Sequence, residues 1–178
     1  NILEGLLEMP RLYAEILSQN ENIKKLCKKL ISSNSVLYLG RDVLYPIALE
    51  GALKLKEISY LHAEGYASGE LKHGPIALID KSMPLVALNP WSKVFEKTLS
   101  NLEEVKARRG KIILFTDKKG KELSKDLTKS IFQLPSCSDF LTPILYSLPL
   151  QLIAYYTALD KGTDVDQPRN LAKSVTVE

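Results

Sequence analysis

The chain has 178 residues, 45% of them apolar and 25% charged, a balance that predicts one packed core and excludes a disordered or fibrous protein. Its 24 basic and 21 acidic residues give a formal charge of +3 and are spread along the chain, without the concentrated patch of a nucleic-acid binder. Cys27 and Cys137 stand far apart with no Cys or His at ligand spacing, which leaves a disulfide framework or a zinc site without support and fits a reducing cytoplasm.

The sequence opens on Asn1 with no signal-peptide pattern and is read as a piece of a longer protein. Pro10 suits the first turn of a helix carrying Leu12, Ile16 and Leu17, and after a polar break a second helix carries Ile23, Leu26 and Leu30. Ser35–Gly40 is a short apolar run ending in Gly, the pattern of a buried strand. Pro46 then starts a helix running to about Tyr60. Further strands are expected at Pro84–Leu88, Lys111–Thr116 and 130–134, with helices at 92–109 and near 121–127. Residues 140–159 carry no formal charge, yet Pro143, Pro149 and Gln151 favour a buried helix, bent or restarted at Pro149, over a membrane span. Beyond Gly162 the apolar period stops and a tail is expected. Alternating strands and helices predict an α/β domain with a mostly parallel sheet covered on both faces, and ligands bind beyond the carboxyl ends of such strands. The loops after Leu39 and around 64–74 are therefore the expected site.

Three groups can carry chemistry. Glu50, Lys54 and Glu57 are spaced four and three apart, which stacks carboxylate, ammonium and carboxylate on one helix face; spacing alone favours a solvated stripe. Lys56 points away from it. His73 lies in the tight-turn sequence Gly69-Glu70-Leu71-Lys72-His73-Gly74-Pro75, where a histidine is usually a surface residue, and His62 fits a structural histidine, so neither identifies itself from the residues alone. Lys173 sits among small and apolar neighbours in the last nine residues. An ordinary lysine, with a pKa of about 10.4, needs desolvation or a nearby cation, such as Arg169 or Lys54, to act as a nucleophile. Spacing alone favours an inert lysine on a frayed terminus.

Three blocks carry a resemblance: 45–60 (Tyr-Pro-Ile-Ala-Leu-Glu-Gly-Ala-Leu-Lys-Leu-Lys-Glu-Ile-Ser-Tyr), 69–75, and 162–178 with its Asp166-Gln167-Pro168-Arg169-Asn170-Leu171-Ala172-Lys173-Ser174-Val175-Thr176-Val177-Glu178 ending. Together they resemble the second sugar-isomerase (SIS) subdomain of the glucosamine-6-phosphate synthase (glutamine:fructose-6-phosphate aminotransferase) family. The resemblance implies a three-layer α-β-α sandwich around a parallel, about five-stranded sheet. Residues 1–178 would form a single SIS subdomain, with N-terminal helices in 1–33 and a catalytic tail in 163–178. Glu57 would be the base moving a proton between C1 and C2 of the open-chain sugar, with Lys54 relaying protons or steadying the sugar. His73 would open the sugar ring, reaching the site from a neighbouring subunit. Lys173 would form an imine with the ketose, and Ala172, Val175 and Arg169 would close over the sugar.

The ligands implied are fructose 6-phosphate and glucosamine 6-phosphate, with no cofactor, metal, nucleic acid or membrane. The partners implied are a first SIS subdomain and a glutaminase domain of the same polypeptide, in a cytoplasmic homodimer. Two features depart from the family. Asp42 follows Gly40-Arg41 where relatives often have a second glycine, and Ser32-Ser33-Asn34-Ser35 precedes a strand, the wrong end for a phosphate cradle. The chain alone is therefore expected not to run the full reaction. The alternatives are a non-catalytic phosphosugar-binding module and an ammonia-independent sugar-phosphate isomerase or deaminase.

Overall fold

The computed structural model describes residues 2–170. Five strands form one parallel sheet: β1 (Ser35–Gly40), β2 (His62–Ala67), β3 (Pro84–Leu88), β4 (Lys111–Thr116) and β5 (Ile131–Gln133), in the order β2-β1-β3-β4-β5. All four strand pairs are parallel, as in Ser35 beside His62 and Leu85 beside Ile112. The inner strands β1, β3 and β4 are buried on both faces, so their sequences are unbroken apolar runs.

Alternate residues of those strands feed two cores. On one face Val36, Tyr38, Val86 and Phe115 pack under α1 (Ile2–Leu17), α2 (Asn20–Cys27), α3 (Leu44–Ser59) and α6 (Thr142–Lys161). On the other face Leu37, Leu39, Leu85 and Leu114 meet Leu71, Leu102 and Leu127. That second layer is the β2–β3 connection, with 3-10 turns at Ser68–His73 and Pro75–Leu78, followed by α4 (Phe95–Ala107) and α5 (Lys118–Leu123). The architecture is the expected three-layer sandwich.

Local readings need four corrections. Helix α1 begins at Ile2, not at Pro10, which lies in its interior. Apolar residues at helical spacing upstream extend it, and the buried Met9 and Leu12 offset the hydrogen bond that proline removes. Strand β2 occupies a stretch read as loop. It is an edge strand of His-Ala-Glu-Gly-Tyr-Ala, without the β-branched run of an inner strand. Helix α5 starts three residues earlier than expected, because the Asp117 side chain caps it by accepting the Gly120 N–H at 2.8 Å. Helix α6 neither breaks nor restarts at Pro149, which is buried within one continuous helix. Among the described residues, no helix is long and apolar enough to cross a membrane.

Helix α3, which carries the charged stripe, is seated on β2 through Gly65. A Cβ there would lie 2.9 Å from both the Leu49 Cα and the Leu49 N. Backbone atoms cannot move aside as a side-chain tip can. Gly65→Ala is therefore expected to cost about 1–3 kcal/mol, read as a lower urea midpoint with an unchanged denaturant slope.

Candidate active site

Two turn bonds open α3, Leu44 N–H to the Arg41 carbonyl (3.2 Å) and Tyr45 N–H to the Asp42 carbonyl (3.0 Å). Asp42 takes φ 55°, the left-handed region that glycine favours and that Asp adopts more readily than most residues. The departure noted in the sequence is thus absorbed locally. At the other end Tyr60 takes φ 59° and its N–H returns to the Lys56 carbonyl, which stops the helix.

The stripe between those ends is half-buried. Lys54 Nζ lies 2.7 Å from Glu57 Oε2 and 3.7 Å from Glu50 Oε1, with side-chain exposures of 37% for Lys54, 25% for Glu57 and 43% for Glu50. Hydrogen bonding to Glu57 raises the Lys54 pKa above the ordinary value against the opposing effect of burial, and the charges of Glu57 and Glu50 add to the rise. Lys54 is a cation throughout the neutral range, suited to steadying an anion rather than to taking a proton. Beside the stripe, Tyr45, Leu49 and Leu53 recur every four residues and stay 36%, 42% and 42% exposed. Lys56 is exposed, as expected.

The first residues of the tail pack against the end of the same helix. Gly162, at φ 71°, ends α6, and the Thr163 hydroxyl donates to the Ile58 carbonyl at 2.6 Å. Asp164 Oδ1 accepts the N–H groups of Asp166 (2.9 Å) and Gln167 (3.0 Å), closing a turn. The Arg169 N–H donates to the Tyr60 hydroxyl at 2.9 Å, and its guanidinium carbon stands 4.2 Å over the Tyr60 ring. Arg169 is thus held three residues along from Glu57. Ala172, Lys173 and Val175 lie outside the described residues.

His73 is not part of this group. It is exposed and ends the 3-10 turn of the β2–β3 connection, which packs through Leu71 on the opposite face of the sheet from α3. Among the described residues no hydrogen bond or ion pair links His73 to Glu57. The adjoining Gly74, at φ 141°, supplies a backbone turn that only glycine makes without strain. His62 stands on β2, exposed, 3.4 Å from Glu64 Oε1, with Glu64 also accepting from the Tyr66 hydroxyl.

Both cysteines are free. Burial pushes the Cys27 thiol up to about 12 and raises Cys137 as well, so neither supplies a thiolate nucleophile at neutral pH. Among the described residues no three His, Cys, Asp or Glu groups converge as metal ligands.

A second group includes the loop after Leu39 that the sequence marked as an expected site, together with residues not singled out there. Arg41, Asn89, Trp91, Asp117 and Tyr146 line a cavity of about 360 Å³ beyond the carboxyl ends of β1, β3 and β4. The glycine-ended strand β1 and the Asn-Pro-Trp loop after β3 were the available signals, since strand-end loops are where such folds hold ligands.

The doubly wound sheet and these strand-end loops define the class: residues 29–161 match the SIS domain model, and the chain belongs to the SIS domain family. Within that family it is 58% identical, over 99% of its length, to the glutamine–fructose-6-phosphate aminotransferase (isomerizing) of Bartonella quintana (strain Toulouse). It is likewise 58% identical to the enzyme of the same name in Bradyrhizobium diazoefficiens. The chain spans 29% of the length of each. Among solved structures it superposes with a TM-score of 0.87 and 48% identity on the C-terminal domain of glucosamine-fructose-6-phosphate aminotransferase from Francisella tularensis, covering 92% of this chain and 46% of that one.

The ion pair yields a pH test. Because the folded-state pKa of Lys54 is raised, any stability from its pairing is present below the ordinary lysine value of 10.5 and is lost as pH rises through the folded value. Lys54→Met is expected to lower stability by at most about 0.5 kcal/mol at neutral pH, since the pair is partly exposed. In urea denaturation the gap between the two proteins should close only above pH 10.5.

Proposed function

We propose that this chain supplies the isomerising residues of a longer enzyme that converts fructose 6-phosphate and glutamine into glucosamine 6-phosphate and glutamate. The observation that carries the reading is the 58% identity, across nearly the whole chain, to enzymes named for that reaction. In this reading residues 1–178 act as one SIS subdomain with helices in 1–33 and a catalytic tail in 163–178. The enzyme works in the cytoplasm as a homodimer, in amino-sugar biosynthesis that feeds cell-wall precursors.

The chemistry follows from the groups present. The Lys173 amine adds to the C2 ketone and, with loss of water, gives an imine that draws electrons from the adjacent carbon. Glu57 removes the proton from C1 and returns it at C2, which a carboxylate can do when held over the plane of the enediol-like intermediate. Lys54, a fixed cation 2.7 Å from Glu57, steadies the charge that develops as the proton moves. Ammonia from glutamine displaces the lysine from the C2 imine before the proton is moved, so that protonation at C2 leaves the free amine of glucosamine 6-phosphate. Arg169, Ala172 and Val175 cover the sugar.

Two features of the fold support this assignment. The Arg169–Tyr60 contact anchors the tail beside the end of α3, and four further residues of extended chain, about 14 Å at most, separate Arg169 from Lys173. That length is compatible with the role proposed for Lys173 beside Glu57. His73 sits on the other face of the sheet, so its ring-opening role calls for a second copy to bring it to Glu57. The exposed Tyr45, Leu49 and Leu53 beside the ion pair suit a face that other parts of the assembly cover.

Borohydride reduction of the full-length enzyme in fructose 6-phosphate is expected to trap sugar on Lys173; trapping at another residue, or none in active enzyme, rejects the imine role. Glu57→Gln should abolish isomerisation while sparing sugar binding. Mixing full-length Glu57→Gln and His73→Ala subunits tests the shared site. Each mixed dimer regains one intact site from two inactive parents, so an equal mixture should recover about a quarter of wild-type activity. No recovery after subunit exchange would place His73 and Glu57 in the same subunit's site.

A further inference from the structure

The cavity of about 360 Å³ lies at the point where the strand order reverses, between the carboxyl ends of β1 and β3. We propose that it is a second ligand site, distinct from the ion-paired face of α3, and that it takes an aminated polyol of hexose size. Crevices at such reversals are where open parallel sheets hold small molecules, and the volume falls in the usual range for them.

The lining points to the ligand's chemistry. Tyr146 is 2% exposed and its hydroxyl has no hydrogen-bond partner among the described residues. That hydroxyl is closed off from solvent, so Tyr146 lines the cavity without offering it a hydrogen bond. Asp117 uses Oδ1 on the Gly120 N–H, and its Oδ2 has no partner among the described residues. Asn89 donates through Nδ2 to the Phe95 carbonyl at 3.3 Å, which leaves its Oδ1 as an acceptor.

Charge at the site favours a hydrogen-bond donor over an anion. Asp42, Asp117 and Asp139 line the cavity against two cations, Arg41 and Lys93. Arg41 is already committed, its Nε to Thr98 Oγ1 at 3.2 Å and its Nη2 to Asn101 Oδ1 at 2.9 Å. Trp91 carries the Lys119 ammonium 3.5 Å over its ring and so serves the cavity as an apolar wall. Free acceptors beside an apolar wall match the hydroxyls, ammonium and C–H face of an amino sugar, whereas a phosphate would meet three carboxylates against the two cations Arg41 and Lys93.

Trp91 is the single tryptophan of the chain, so its emission reports occupancy directly. The 178-residue chain is titrated with glucosamine, glucose and glucose 6-phosphate, followed by fluorescence and, on the same samples, by calorimetry. Glucosamine is expected to saturate at lower concentration than glucose, with glucose 6-phosphate weakest. Asp117→Asn, which can still cap α5, should weaken glucosamine about tenfold, the scale of a lost charged hydrogen bond. The proposal is overturned if neither signal saturates with glucosamine, if glucose 6-phosphate binds more tightly, or if Asp117→Asn binds glucosamine as the wild type does.

Discussion

A strand, a crossover and a second parallel strand connect with right-handed geometry, and this chain reverses direction across its sheet after β2. Moving outward from β1 to β2 puts α3 on one face; moving back past β1 to β3 must put the next connection on the other. That one reversal parts Glu57 from His73, which the chain carries only sixteen positions later. It also leaves the loops after β1 and β3 diverging, which opens the crevice floored by Tyr146. Both candidate sites therefore follow from connectivity before any side chain is considered.

The two sites differ in how complete they are. The crevice is walled by loops of this chain and by the start of α6. The ion pair, by contrast, lies on an outward helix face with apolar neighbours left in solvent. Glu57 keeps only a quarter of its side chain exposed, because Lys54 lies across it. A half-dry acid beside a fixed cation is a weak stabiliser of the fold. Its chemical use grows as water is excluded, since both charge interactions and proton transfer strengthen in a drier site.

Legibility in the sequence tracked burial. Strands β1, β3 and β4 were readable to the residue, because a strand covered on both faces must be apolar throughout and ends abruptly at its loops. The stripe at 50, 54 and 57 was equally plain, since helical spacing is local. Strand β2 was hidden because an edge strand keeps polar outward positions and here uses Gly65 to admit the α3 backbone. Pro10 misled because tertiary packing overrode its preference for a first turn. The face on which His73 falls depends on strand order, a long-range property with no local signature. Charges gave no warning of the crevice, since Asp42, Asp117 and Asp139 come together only when three loops meet.

The contacts among Thr163, Ile58, Tyr60 and Arg169 tie the start of the tail to the end of α3. Under the proposed function they act as a tether, which raises the local concentration of the group it carries without any affinity of its own. The knot joins the exit of the last helix to the end of the third, so it is fastened only once those helices have docked. In an unfolded chain the tail starts from no fixed point.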